Sequence, residues 1–314
     1  MNKPGLPHLL DIESLSSHQL NSILGMALKI ANDPQGFANR LNGKVLMNLF
    51  LEPSTRTRTS FELAARRLGM HVINFRPEIS SSVKGEALND TFNTLQSMQP
   101  DAIVIRHKQD GTVANLAAGA NAGIHIINAG DGCSQHPTQA LLDAVTLMQV
   151  RDGDLHDLKI VYVGDIKHSR VARSGIALFE KLGVAEIRLA GPCELLPELD
   201  SNVVSNVVRH FHNLDEAVSG ADVVVMLRIQ RERFGLDELA VVEGLDEAGY
   251  FKTWGLTRER LLLAADGCHV MHPGPVNRGV EIDSEVADGP QSLISAQVLN
   301  GVYARMAVLL NLLS

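Results

Sequence analysis

The chain has 314 residues, 45% of them hydrophobic, and a formal charge of −8. That length is uncomfortable for one core, so two domains are expected. The negative charge, with no long basic run, argues against a nucleic-acid partner. Cys133, Cys193 and Cys268, far apart and without CxxC spacing, argue against a disulfide framework or a structural zinc site.

Strand and helix character alternate along the whole chain. Predicted strands are 44–51, 71–75, 101–106, 124–128, 159–164, 186–190, 207–211, 222–227 and 268–271. Most are short, β-branched and apolar on both faces, as buried parallel strands are. Helix-like segments fall at 55–68, 86–98, 112–122, 136–150, 170–182, 214–219 and 291–313. The alternation implies an α/β fold of two doubly wound parallel-sheet domains linked by interdomain helices. The first is expected to comprise 1–135 with 291–314, and the second 136–290, with 136–150 as a linking helix before the polar stretch RDGDLHD. Runs such as VVVML and LLLAA are too short to span a bilayer. Pro4, Pro7, His8 and Asp11 break any secretory signal, so a cytoplasmic protein without a membrane partner is expected.

The first chemically dense stretch is LEPSTRTRTSFELAARRLG, 51–69. Pro53 and Ser54 end a strand, and Ser54 is placed to cap the helix that follows. The amides of 55–57 would then point outward and favour an anion. Arg56 and Arg58 add planar cationic forks, and Ser54, Thr55, Thr57 and Thr59 add short donors, a set suited to phosphate oxygens. A capped helix start with solvated arginines is the plainer alternative. Later strand ends weigh against it. Arg106-His107 closes DAIVIR, and His136-Pro137-Thr138-Gln139 opens a helix after IHIIN and a glycine-rich turn. Carboxyl ends of parallel strands gather at one edge, so Arg106, His136 and Gln139 are expected to converge with 54–57.

STRTR after an apolar strand, the RH pair, and HPTQ before a helix resemble the carbamoyltransferase family, whose order the whole chain follows. MHPGPVNRGVEI (271–282), LRIQRER (227–233) and VGDIKHSRVARS (163–174) are similar to the aspartate branch rather than the ornithine branch. The resemblance implies transfer of the carbamoyl group of carbamoyl phosphate to the amino group of L-aspartate, in pyrimidine biosynthesis. Neither cofactor nor metal is implied, because the carbonyl is already activated and needs only alignment and oxyanion stabilisation. Ser54, Thr55, Arg56 and Thr57 would grip the phosphate. Thr57, Arg106 and His136 would donate to the carbonyl oxygen, and Gln139 would face the carbamoyl amino group. SSSVKGE (80–86) resembles a loop that enters the neighbouring subunit's site through Lys84 and Ser80, with the choice among serines 80–82 open. A homotrimer with shared sites follows from that resemblance, and Arg56, Thr57, Lys84, Arg106 and His136 are its expected catalytic set. Arg170, Arg228 and Gln230 match positions that hold the dicarboxylate. Pro273 and Gly274 would offer backbone carbonyls, while Arg231, Arg233 and Arg278 are expected as structural ion-pair formers.

Three other readings stand beside this one. An ornithine-type transferase would need acidic groups where Arg228 and Gln230 stand. A dinucleotide-binding oxidoreductase would need G-x-G-x-x-G, but Gly164 stands alone beside Asp165, and no acidic residue ends EIRLAGP. A non-catalytic relative would have no need of both Arg56 and His136. The sequence leaves open whether trimers join regulatory or dihydroorotase-like chains.

Overall fold

The computed structural model describes residues 6–76, 86–198, 206–230 and 247–314. Ser80, Lys84, Arg231 and Arg233 lie outside the described residues. The chain divides into two compact units, 1–145 with 298–314, and 146–297.

The first unit carries a parallel sheet of β1 (Val45–Phe50), β2 (His71–Asn74), β3 (Ala102–His107) and β4 (His125–Asp131), in the order β2-β1-β3-β4. Around it run α1 (Ser17–Asn32), α2 (Thr55–Arg67), α3 (Leu88–Ser97), α4 (Thr112–Ala118) and α5 (Pro137–Val150). Strands β1, β3 and β4 are apolar, with Met47, Leu49, Ile103, Ile105 and Ile126 packed in one buried cluster. Each such side chain contributes about 1.5–3 kcal/mol when fully buried. α1 is absent from the predicted elements although its signals are local. Ser16 and Gln19 form a capping box, and Leu20, Ile23, Leu24, Ala27 and Ile30 make one buried stripe. α4 ends four residues earlier than predicted, at Ala118, capped by Gly119 ahead of a turn through Gly123 with φ +86°.

In the second unit the order is β7-β6-β5-β8-β9, all parallel. Its strands are β5 (Lys159–Val163), β6 (Glu186–Ala190), β7 (Val208–Phe211), β8 (Val223–Met226) and β9 (His269–Met271). The helices are α6 (Arg170–Leu182), α7 (Leu214–Val218), α8 (Glu247–Trp254), α9 (Arg258–Leu261) and α10 (Ser284–Ala287), and α11 (Ile294–Leu313) begins here but belongs mostly to the first unit. The unit junctions at 145/146 and 297/298 run through α5 and α11. α11 is long and apolar enough to cross a membrane by length and composition, a property that the short apolar runs do not reveal. About 72% of its apolar window is buried within the protein, as in the core helix of a globular fold.

The order in which strands are added reverses once in each sheet, at β1/β3 and at β5/β8, and such a reversal opens a crevice at the strand carboxyl ends. Gly164 makes the second crevice geometrically feasible. Its φ is +119°, and a Cβ there would stand 2.6 Å from the Leu227 carbonyl oxygen at the end of β8. Gly164→Ala should therefore lower stability by about 1–3 kcal/mol, read as a lower denaturant midpoint. An unchanged midpoint would show that the two strand ends separate freely.

Candidate active site

In the first unit the three groups named from sequence follow adjacent strands. β1 leads into 54–57, β3 carries Arg106 just before its last residue, and β4 leads through a turn to His136 and α5. The register places Phe50 opposite Arg106 and His107 opposite Asp131, so all three ends share the sheet's carboxyl edge. Ser54 occupies the N-cap position of α2 with extended backbone, but its hydroxyl makes no capping bond, contrary to expectation. Thr57 is buried, Ser54 is half-buried, and Thr55, Arg56, Arg58 and Thr59 are exposed. Desolvation by surrounding protein holds the Arg56 guanidinium below the usual arginine pKa even though the residue is open to solvent by area. Such a group still keeps its charge at any physiological pH.

Arg106 is oriented by two acceptors. It donates from Nη1 to the Ala129 carbonyl at 3.1 Å and from Nη2 to Glu52 Oε1 at 2.8 Å. Its side chain is only 11% exposed, so the guanidinium plane is set before any ligand arrives. Glu52 was not singled out from sequence, although an acid directly before Pro53-Ser54 in a cationic stretch was a usable signal. His136 is buried at the start of α5, with Pro137 at the first helical position and the Gln139 amide donating to the His136 carbonyl at 3.0 Å.

The second unit repeats the logic. Arg170 is buried at the first position of α6, whose N-cap Ser169 accepts from the Ala172 amide. Arg228 and Gln230 follow β8, next to β5 in the sheet. Asp165, fully buried, ties the two strand ends together. Its Oδ1 faces His168 Nδ1 at 2.8 Å, and its Oδ2 accepts from the Gln230 amide at 3.1 Å. Gln230 also donates from Nε2 to the His168 carbonyl at 3.1 Å. In the sequence, Asp165 served only to dismiss a dinucleotide site, and His168 carried no signal of its own.

Pro273 and Gly274 follow β9, beside β8. The Gly274 amide donates to His272 Nδ1 at 2.8 Å, which leaves the ring proton on Nε2, facing Glu281 Oε1 at 3.1 Å. The Asn277 amide donates to the same oxygen at 2.6 Å. This buried His–Glu pair, nine residues apart, shapes the loop and was also missed. Arg228, Ile229, Asn277, Arg278 and Val280 line an open cleft. Arg278 is engaged by Asp288, with both Nη atoms at 2.7 Å, the structural ion pair expected of it. Among the described residues no cluster of three or more His, Cys, Asp or Glu is arranged to hold a metal.

Two family models cover nearly the whole chain. The aspartate/ornithine carbamoyltransferase carbamoyl-P binding domain matches 7–149, and the corresponding Asp/Orn binding domain matches 156–312. The chain belongs to the aspartate/ornithine carbamoyltransferase family. Among its relatives in that family, the aspartate carbamoyltransferase catalytic subunit of Xanthomonas campestris pv. campestris strain B100 is 48% identical, over 98% of this chain and 96% of the relative. The aspartate transcarbamoylase of Trypanosoma cruzi in complex with carbamoyl phosphate has a similar structure, with TM-score 0.86, 30% identity, and 98% and 96% of the two chains covered. Its complex with carbamoyl aspartate and phosphate gives TM-score 0.85 at 29% identity, covering 100% and 99%. Both carbamoyltransferase-type sheets predicted from sequence, all parallel and doubly wound, are present.

Proposed function

We propose that the chain is a catalytic subunit that moves the carbamoyl group of carbamoyl phosphate onto the amino group of L-aspartate, giving N-carbamoyl-L-aspartate and phosphate for pyrimidine synthesis. The observation that supports this reading is the set of cations at the strand carboxyl ends of each unit. Arg56 and Thr57 follow β1, Arg106 lies near the end of β3 and His136 follows β4, while Arg170 follows β5 and Arg228 and Gln230 follow β8. Paired arginines suit two carboxylates, whereas the ammonium tail of ornithine would call for acids. The family descriptions of the two halves support the same division of labour: residues 7–149 for carbamoyl phosphate, and 156–312 for the amino acid.

The chemistry follows from these groups. The uncharged amine of aspartate attacks the carbonyl carbon and an N–C bond forms. The C–O bond to phosphorus then breaks, and its electron pair leaves with phosphate. The amine proton passes to solvent or to the departing phosphate. Arg106, Thr57 and a neutral His136 N–H stabilise the developing oxyanion, each donor being worth about 3–4 kcal/mol in a preorganised site. Ser54, Thr55 and Arg56 hold the leaving phosphate. Pro273 and Gly274 carbonyls accept from the nucleophilic amine or the carbamoyl amide. Lys84 and Ser80, or Ser81 or Ser82 in its place, reach the site from an adjacent chain of a homotrimer, as the SSSVKGE resemblance implies, and the protein is cytoplasmic.

The direct test is to supply purified protein with carbamoyl phosphate and either L-aspartate or L-ornithine, and to measure phosphate release and carbamoylated product. Efficient use of ornithine, or no turnover with aspartate, would refute the assignment. A finer check uses Arg228→Ala. Loss of charged hydrogen bonds worth about 1.5–3 kcal/mol should raise the apparent KM for aspartate roughly 10- to 150-fold, with little change for carbamoyl phosphate. Equal effects on both substrates would contradict the separation of the two sites.

A further inference from the structure

Behind the first turn of α5 lies a buried charged network that the proposed roles leave unused. Gln139 Nε2 donates to Asp143 Oδ1 at 3.0 Å, one helical turn on. Both residues are more than nine-tenths buried, as is Arg305 of α11. Arg305 donates from Nη1 to the Gly301 carbonyl at 2.8 Å and from Nη2 to Thr138 Oγ1 at 3.3 Å, and its guanidinium lies 5.1 Å from the Phe61 ring centre. Asp143 and Arg305 attract each other electrostatically. Burial still pulls Arg305 down to about 9, so it remains charged at neutral pH.

A side-chain amide can present either edge to a partner that both donates and accepts, but a carboxylate only accepts. The edge of Gln139 facing Asp143 is therefore NH2, and Oε1 is left on the opposite side of the amide. We infer that Asp143, with its charge compensated by Arg305, is a positioning residue that locks the Gln139 amide with its oxygen available to the carbamoyl NH2, so the pair sets selectivity for a carbamoyl over an acyl group. The inference rests on the proposed role of Gln139 and extends it to two residues that touch no substrate. An unlocked amide could turn its NH2 toward the ligand's NH2, setting donor against donor. The locked amide forbids that. A ligand with methyl in place of NH2 gains nothing from the oxygen and leaves it unpaired, which is how a polar site rejects an apolar isostere.

Acetyl phosphate is that isostere. Its inhibition constant against carbamoyl phosphate can be measured with the whole protein, together with the dissociation constant of carbamoyl phosphate. Asp143→Asn exchanges an oxygen for an NH2 with little change of shape. The charge of Arg305, which interacts electrostatically with Asp143, draws the remaining oxygen toward itself, so the new NH2 is turned to Gln139 and its amide turns over. Carbamoyl phosphate should then bind at least about tenfold more weakly while acetyl phosphate changes by less than about threefold. Because Asp143→Asn leaves Arg305 an uncompensated buried charge, the double variant Asp143→Asn/Arg305→Gln provides a second reading with both charges removed. With no cation to draw the oxygen away from Gln139, it should show a smaller loss of discrimination than Asp143→Asn alone. Parallel weakening of both ligands would mean that Asp143 and Arg305 only support the fold. An unchanged ratio, in a wild-type background that forms carbamoyl aspartate, would overturn the inference alone. Absence of carbamoyl aspartate from the wild-type reaction would overturn it through the reading on which it rests.

Discussion

Arg56→Ala should reduce kcat/KM by about 10²–10³-fold while leaving thermal unfolding nearly unchanged. Arg56 sits in the first turn of α2 directly after β1, exposed, with no side-chain cap competing for the helix-start amides. Removing it costs no core packing, so the fold has little reason to respond. On the proposed role, by contrast, the substrate phosphate loses a planar bidentate donor beside a positive helix terminus. One such donor in a preorganised site is worth about 3–4 kcal/mol of transition-state stabilisation. Steady-state carbamoylation of aspartate, paired with a thermal melt, separates the two effects. Near-normal turnover in a folded Arg56→Ala protein would remove the phosphate site from α2 and the rest of the assignment with it. Arg56→Lys is a useful companion. A point charge without the fork should recover only part of the loss.

The second large effect is a recovery. On the homotrimer reading, Lys84→Ala and His136→Ala should each be almost inactive as pure trimers, because every site lacks one group. In a trimer containing both variants, one interface joins an intact Lys84 to an intact His136 of the next chain. No new contact is required. Random mixing at equal amounts makes about three-quarters of the trimers mixed, each with one whole site of three. Roughly a quarter of full activity should therefore return, provided each whole site works independently. The variants are dissociated, mixed, reassociated and assayed, with subunit exchange followed by a mass or charge tag on one of them. Exchange without recovery would place Lys84 in its own chain's site and end the shared-site proposal.

Local pattern alone revealed the architecture and the outward-facing chemistry. Nine short apolar strands alternating with helices define a parallel α/β fold, because buried parallel strands must be apolar on both faces and require helical crossovers. STRTR, RH and HPTQ were legible because strand-end loops carry their polar side chains in plain sequence order. Asp165, Glu52, the His272–Glu281 pair and Asp143 with Arg305 were not legible as a group. Each acts on a residue from another element or turn, and a lone buried acid has no sequence signature until its partner is beside it. Arg305 lies 167 residues from Thr138, the hydroxyl it contacts. Only the sheet orders, with their reversals at β1/β3 and β5/β8, decided which strand ends became neighbours. Sequence proposes the donors, and strand order brings them to one edge. The buried carboxylates then set which way several of them point, since an acceptor-only group in a dry interior leaves its neighbours a single satisfied orientation.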